Sequence, residues 1–492
     1  MRLPNATRSF GLVIGVISLA LVTLLLAVFF GMVAGIGSVF LTVVFGILFL
    51  GVTLFILAQF YHWSIPQLTL TAIFTFFFLL EVVYKIIGVP LYGYWQLLVL
   101  MMGFFGLNIL RKEIINSTIL ILSALAFSVF LFLAIVSTLY TLRSTTDAAL
   151  FQFVSDLKFP MALAFGLYIN TKVNVQNVID RTILIFIPIS IFFIGLQWVA
   201  PHIYLSVFGA STIPYERSSI FPSPALSLFK NPAILAATAS MLAIYTFVKW
   251  KIDKHSPWYA WLLFVALVFM VMASNQRQEI FSFILVILLT YLLISKQGVA
   301  SRALVSSLFG FVLLLGFIWI FADMFTREAT SWGISTVRTA SHPRAELYEG
   351  AVTIAKTYFP LGSGLGTFGG AGSAKYDLSL AYELGFGNNW WWYKKEAYLL
   401  DTYWPNSLAE SGVMGAFFLL LHYLLFAFFS FLKMKSASSE EARMYWLTSG
   451  SSFLWVLLVT PTSPGFQEVR LLFFPALMFG MAVIADRKAR NA

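Results

Sequence analysis

Four charged residues in otherwise apolar surroundings have the types and spacing to do chemistry. Arg217 lies in Pro214-Tyr-Glu-Arg-Ser-Ser-Ile-Phe-Pro-Ser-Pro224, Arg277 in Ser274-Asn-Gln-Arg-Gln-Glu279, and Arg344 in Ser341-His-Pro-Arg-Ala-Glu-Leu-Tyr348. Asp401 lies in Tyr398-Leu-Leu-Asp-Thr-Tyr-Trp-Pro405. An arginine fork grips a phosphate through two parallel hydrogen bonds and stays charged in a partly dry site. Three arginines on one side of a membrane therefore suit a phosphate or diphosphate substrate. Each can equally pair with a neighbour (Glu216, Glu279 or Glu346) or reach towards lipid headgroups. Asp401 beside basic groups can take a proton from a hydroxyl or orient it. Its alternative role is a helix cap or half of a salt bridge.

These residues sit in or near the one long polar stretch, Asp323 to Glu410. It also carries Arg338, the run Gly362-Ser-Gly-Leu-Gly-Thr-Phe-Gly-Gly370 and the run Trp390-Trp-Trp-Tyr393. Long loops are usually functional or disordered. This one is aromatic and poor in charge blocks, so it is expected to be ordered. Pro343 and Glu346 suit the first turn of a helix that ends before Pro360 and Gly362, with Arg344, Tyr348, Ala351 and Ala355 on one face. Pro405 suits the start of the next helix, which places Asp401 just ahead of it. Gly364-x-Gly366-x-x-Gly369 matches a dinucleotide fingerprint in form alone, because no strand precedes it. The run reads as a turn of positive-φ glycines, or as backbone N–H groups that approach a sugar or phosphate. The tryptophan run reads as an interfacial belt, with sugar stacking as the alternative. Glu410, Gly412 and Gly415 read as structural, the glycines allowing close helix packing.

The rest of the chain exists to hold this stretch at a membrane surface. Of 492 residues, 60% are hydrophobic and 11% charged, and the mean hydropathy is +0.88. A soluble protein averages about 25% charged. Fourteen apolar segments of helical length follow, at roughly 10–31, 36–58, 67–88, 93–110, 116–139, 148–169, 182–200, 231–248, 258–274, 279–295, 303–322, 411–432, 444–461 and 469–485. The range is about twelve to fourteen spans, since Asp156, Lys158 and Pro160 interrupt the sixth. The N-terminal apolar run lacks a cleavage site and is taken as the first span. The expected class is an all-α polytopic membrane protein with one large extracytoplasmic loop. Its parts are residues 1–322 (eleven spans), 323–410 (the loop) and 411–492 (three spans and a tail).

Lysine and arginine set the orientation. With the N-terminus in the cytoplasm, cytoplasmic segments hold 17 basic residues and the short outer loops six: Arg143, Lys158, Arg217, Lys230, Arg277 and Arg470. Both termini are then cytoplasmic and the large loop is outside. The net charge of +10 sits at helix ends and is no sign of nucleic acid. There is no cysteine, which excludes thiol chemistry and disulfides. His202, His342 and His422 have no metal-ligand spacing, so no metal site is expected. Glu81 and Lys85, four apart in one span, are expected to pair.

Taken in order, the Arg217 to Pro224 stretch, Ser274-Asn-Gln-Arg277, Arg344-x-x-x-Tyr348, Pro360-Leu-Gly-Ser-Gly-Leu-Gly-Thr-Phe368, Asp401 and Glu410-x-Gly412-x-x-Gly415 resemble the O-antigen polymerase and ligase superfamily of Wzy-type membrane proteins. The resemblance covers about residues 195–480 and implies a GT-C-like, metal-independent glycosyltransferase without cofactor. Such an enzyme works at the outer face of the bacterial cytoplasmic membrane on undecaprenyl-diphosphate-linked glycans, by inverting transfer. The resemblance implies catalytic roles for Asp401, Arg344 and Arg217. It implies substrate contacts from Arg217, Arg277, Arg344, Tyr348, Arg338 and Trp404. Membrane lipid, a flippase and a chain-length regulator are the partners it suggests. Ligases of this superfamily place a His-Asn pair where Asp401-Thr402 stands here, so a polymerase of lipid-linked repeat units is expected over a ligase. Ser219 stands where glycine is common. A lipid-linked oligosaccharide flippase is the alternative from another class. It would show charges within its helices and short loops, whereas here one loop is long and the charges lie outside.

Overall fold

The computed structural model describes residues 70, 73, 77, 91–208, 221–229, 231–253, 256–294, 343–389, 391–392 and 398–491. Arg217, Arg338, His342, the Glu81–Lys85 pair, and the first three and eleventh expected spans, apart from three residues of the third, lie outside them. No strand occurs among the described residues, and the chain there is all-α. The helices are α1 (Leu91–Phe104), α2 (Leu107–Ile115), α3 (Thr118–Thr141), α4 (Thr146–Asp156), α5 (Lys158–Lys172), α6 (Val175–Val199), α7 (Pro201–Phe208) and α8 (Pro232–Ile252). They continue as α9 (Ala260–Ala273), α10 (Arg277–Ile294), α11 (Pro343–Thr357), α12 (Ala371–Tyr376), α13 (Ser379–Glu383), α14 (Trp404–Lys435), α15 (Glu440–Val459) and α16 (Val469–Asn491).

Among the described residues six helices are long and apolar enough to cross a membrane, or eight if each of two bent pairs forms one span. The bends are 56° between α1 and α2 and 41° between α4 and α5. The second falls at Leu157, within the Asp156-Leu-Lys-Phe-Pro160 interruption of the sixth expected span. Of the remaining expected spans, α9 is apolar but only 14 residues long. Helix α15 has 20 residues and is not among the six; Thr448-Ser-Gly-Ser-Ser452 at its centre lowers its hydropathy. Helix starts follow the local sequence. Asn231 caps α8 by accepting from Ala233 N at 2.8 Å, with Pro232 in the first turn. Ser439 caps α15 by accepting from Ala442 N at 3.0 Å, with Glu440 and Glu441 at the positive end of the helix dipole.

The chain forms two compact units. In the first, α6 packs with α7, and Tyr204 Oη donates to Ser227 O at 2.7 Å. Phe229 there meets Phe77 and Phe186. The second unit holds the large loop and the helices that frame it. Helix α14 lies along α3, α5 along α16, and α15 against α14, α16 and α10. At their centre Phe159 meets the rings of His422, Tyr423, Phe426, Phe453 and Phe466 edge-on, at 5.2 to 5.6 Å. The ends of α10 and α15 are polarised. Arg443 donates to Ile294 O at one end, and Gln278 donates to Leu458 O at the other. The two helices therefore run antiparallel, with Arg443 and the Arg277–Glu279 turn at opposite ends of the pair.

The loop is folded. Helix α11 begins at Pro343 and ends at Thr357, as the sequence predicts. Leu347, Ala351 and Ile354 from α11, with Phe368, Leu380, Phe386, Trp391 and Leu399, make its hydrophobic core. Trp391 is fully buried in that core, and Trp392 packs edge-on to Tyr382. For Trp391 this corrects the belt reading: composition alone does not tell an interfacial tryptophan from a core one. Arg143 clamps the outside of the loop through Glu383 at 2.6 Å. That hydrogen bond raises the Arg143 pKa against the opposing effect of burial.

The glycine run is a buried turn wedged beside α3 and α4. Gly364, Gly366 and Gly369 all take positive φ, as the turn reading expects. Four of its N–H groups are engaged by the protein. Ser363 and Gly364 donate to Ala409 O and Glu410 O, Leu365 to Thr138 Oγ1, and Phe368 to Glu410 Oε1. Those groups therefore hold the turn to α14 and α3 instead of approaching a phosphate. Gly366 has φ +74, and an added Cβ would sit 2.3 Å from Ala148 O. Strained backbone alone costs about 1–3 kcal/mol, so Gly366→Ala is expected to lower thermal stability in detergent by several degrees. An unchanged melting temperature would contradict this account of the turn.

Candidate functional site

Helix α14 begins at Trp404 with Pro405 in its first turn, so Asp401 lies just ahead of it, as the sequence predicts. The helix breaks at Gly412, whose φ of +70 lets the backbone pass Leu361; a Cβ there would lie 2.9 Å from the Leu361 carbonyl carbon. The short segment before the break carries Asn406 and Glu410 under the loop.

Arg344, the second residue of α11, reaches across to Asp401. Nε donates to Oδ2 at 2.7 Å, with the side chains 23% and 34% exposed. Glu346, the expected local partner, accepts from Asn389 Nδ2. A pair this exposed adds little to stability, about 0–1 kcal/mol. Its interest is chemical, because both groups remain reachable from solvent. Glu279, in the first turn of α10, is buried and within electrostatic range of both Arg344 and Asp401. The structure thus brings together two of the three predicted catalytic residues, Arg344 and Asp401, and adds a second carboxylate beside them. Arg217 and Arg338 are outside the described residues. Arg277 is half-buried at the start of α10, two residues from Glu279.

One short strip of chain at the end of α15 receives the surrounding groups through three carbonyls and one hydroxyl. Tyr348 Oη donates to Pro461 O at 3.3 Å, and Trp404 Nε1 to Thr460 Oγ1 at 2.8 Å. Tyr403 N donates to Thr460 O and Gln278 Nε2 to Leu458 O, each at 3.2 Å. Burial pushes the Tyr348 hydroxyl up to about 12 against a smaller lowering by Arg344, so at neutral pH it is a neutral donor. Two buried polar atoms have no partner among the described residues, Asn275 Oδ1 just before Arg277 and Thr402 Oγ1 next to Asp401. Asn275 takes φ +55 in the turn before Arg277.

Beneath lies a closed polar ring. Gln152 Nε2 donates to Asp156 Oδ1 at 3.0 Å and to Asn406 Oδ1 at 3.1 Å. Gln467 Nε2 donates to the same two oxygens at 2.8 and 3.1 Å. Asn406 Nδ2 then holds Phe368 O at 3.0 Å, and Gln152 Oε1 accepts from Gly372 N at 3.2 Å. The ring ties the break between α4 and α5, the start of α14 and the loop to one another. No group of three histidine, aspartate or glutamate side chains placed to hold a metal occurs among the described residues. His422 lies in the aromatic core, within hydrogen-bond distance of Ser123. His202 is exposed in the other unit.

Sequence reasoning missed Gln278, Thr460 and the polar ring, and took Glu279 only as a local partner for Arg277. A usable signal existed for the ring, because amides and a carboxylate in apolar segments must find one another. Fold and site define a helical membrane protein with an accessible Arg–Asp pair under a folded loop. No protein-family model matches the sequence, and no curated protein matches it. Removing Asn406 leaves two glutamine amides and a carbonyl short of partners, each costing about 1–3 kcal/mol when buried. Asn406→Ala is therefore expected to destabilise the fold by more than Tyr348→Phe, which loses one long hydrogen bond. Comparing the two by thermal unfolding checks this, and an equal loss would contradict it.

Proposed function

We propose that the chain is a membrane polymerase of undecaprenyl-diphosphate-linked oligosaccharide repeat units, such as those of O-antigen, capsule or exopolysaccharide. The observation that carries the reading is the Arg344–Asp401 pair, 57 residues apart in sequence yet 2.7 Å apart and partly accessible. A cation beside a carboxylate is what glycosyl transfer from a diphosphate requires. The acceptor hydroxyl attacks the anomeric carbon, the bond from that carbon to the diphosphate oxygen breaks with its electron pair leaving on the diphosphate, and the configuration inverts. Asp401 takes the hydroxyl proton; a carboxylate has room for several hydrogen bonds, so contact with one arginine does not exhaust it. Arg344 and Arg277 offset the charge that grows on the diphosphate. Arg217 and Arg338 complete the cationic surface in this reading, and Tyr348 and Trp404 line the glycan side.

The rest of the reading follows from the resemblance to Wzy-type proteins: about fourteen spans, a GT-C-like fold, no metal and no cofactor. It places the chain in the bacterial cytoplasmic membrane with both termini in the cytoplasm and the loop outside. Support comes from the antiparallel α10–α15 pair, which sets Arg443 and the candidate site at opposite ends. Membrane lipid, a flippase that delivers the substrate and a chain-length regulator are the partners of such an enzyme.

The test is purified protein in lipid with the host's undecaprenyl-diphosphate repeat unit, read as a ladder of products on a gel. Wild type is expected to give a ladder, and Arg344→Ala to slow it about a hundredfold or more with the melting temperature kept within a few degrees. Transfer of preformed polymer to another acceptor, without a ladder, would replace the polymerase with a ligase. Movement of lipid-linked substrate across the bilayer with no new bond would replace it with a flippase.

A further inference from the structure

We propose that Thr460 is a positioning residue for this site, and that the outer end of α15 is the frame on which its separate segments are aligned. The inference rests on the glycosyl-transfer reading above. Thr460 is fully buried and is not itself assigned a contact with substrate. Its hydroxyl donates to Leu457 O at 2.6 Å and accepts from Trp404 Nε1 at 2.8 Å. Its carbonyl accepts from Tyr403 N at 3.2 Å. One residue thus fixes both the backbone and the indole of the segment that follows Asp401 by two and three positions. The residues on either side of it receive the other elements: Pro461 O takes the Tyr348 hydroxyl from α11, and Leu458 O takes the Gln278 amide from α10. Arg344 lies one helical turn before Tyr348, and Arg277 and Glu279 flank Gln278. The three segments bearing Asp401, Arg344 and Arg277 are therefore registered against four consecutive residues, Leu458 to Pro461.

This arrangement has a physical purpose. Asp401 and Thr402 are a short connection between the loop and α14, and the Arg344–Asp401 ion pair is partly exposed. Such a contact does not by itself fix a carboxylate within the tolerance that transfer chemistry needs. The anchors from Thr460 do, because they are buried and use both its main chain and its side chain. A hydroxyl with one hydrogen can donate to Leu457 O and still accept from an indole N–H. Valine has the same shape but neither capacity, and serine keeps both.

The experiment compares Thr460→Val, Thr460→Ser, Trp404→Phe and the Val/Phe double variant in lipid. The readouts are initial polymerisation rate against substrate concentration, melting temperature and the ¹⁹F spectrum of 5-fluorotryptophan-labelled protein, with the Trp404 signal assigned by its loss in Trp404→Phe. Thr460→Val is expected to lower kcat roughly tenfold to a hundredfold with KM within about twofold, as misplacement of a reacting group does. It should also shift the Trp404 resonance while leaving the melting temperature within a few degrees. Thr460→Ser should restore both rate and resonance. In the double variant the second change should add little, because both remove one interaction. Wild-type kinetics in Thr460→Val, or a Thr460→Ser variant as impaired as Thr460→Val, would overturn the proposal. If wild type itself makes no ladder, the polymerase reading fails separately, and the resonance alone decides: an unmoved Trp404 signal in Thr460→Val overturns the frame, and a moved one restored by serine upholds it.

Discussion

A single charged contact between distant segments gives this architecture its meaning. Arg344 on α11 and Asp401 ahead of α14 are brought to 2.7 Å, and every larger feature of the second unit bears on that approach. The loop must fold for α11 to lie over α14. The start of α14 must be held back from the break at Gly412. The end of α15 must stand between them as a reference. The contact itself contributes little free energy, because both partners are partly hydrated. The stability comes from elsewhere, and the pair is what that stability positions.

Two kinds of packing do the holding. The aromatic core around Phe159 and the loop core around Trp391 bury large apolar surfaces, which is the ordinary source of cohesion for an ordered loop. The polar ring of Gln152, Asp156, Asn406 and Gln467 contributes direction instead. Each glutamine amide divides its two hydrogens between the same two acceptors, so the ring closes in one register only. In a low-dielectric interior an incomplete ring is costly, and that cost selects the arrangement in which α4, α14 and the loop meet correctly. In the proposed reading, Thr460 does for the segment after Asp401 what the ring does for the helices beneath it.

Much of this was readable in the sequence, and the limits are instructive. Pro343 and Pro405 marked two helix starts because proline is well suited to the first turn, and both are found there. The Asp156 to Pro160 interruption marked the sixth span as the weakest because charges and proline disturb an apolar helix, and the 41° bend falls there. Arg344 and Asp401 were each recognisable as charges needing a reason. Their pairing was not, because neither periodicity nor spacing links residues on opposite sides of a folded loop; Glu346 was the nearer partner in sequence. Trp391 was misread for a related reason, since aromatic content does not reveal which ring faces inward. Thr460 carried no signal, being one threonine among many until Trp404 and Tyr403 are seen to meet it.

The central claim is that Arg344 meets the diphosphate and Asp401 meets the proton. The measurement that separates those roles is the affinity for undecaprenyl diphosphate, the leaving group alone, in lipid nanodiscs. Wild type, Arg344→Ala and Asp401→Asn would be compared at one ionic strength. The account predicts that Arg344→Ala weakens binding about tenfold or more. It predicts that Asp401→Asn binds at least as tightly as wild type, since a negative charge beside the anion is gone, while its turnover is lost. Equal binding in all three proteins, with turnover intact in Asp401→Asn, would contradict it and leave the pair as a structural salt bridge.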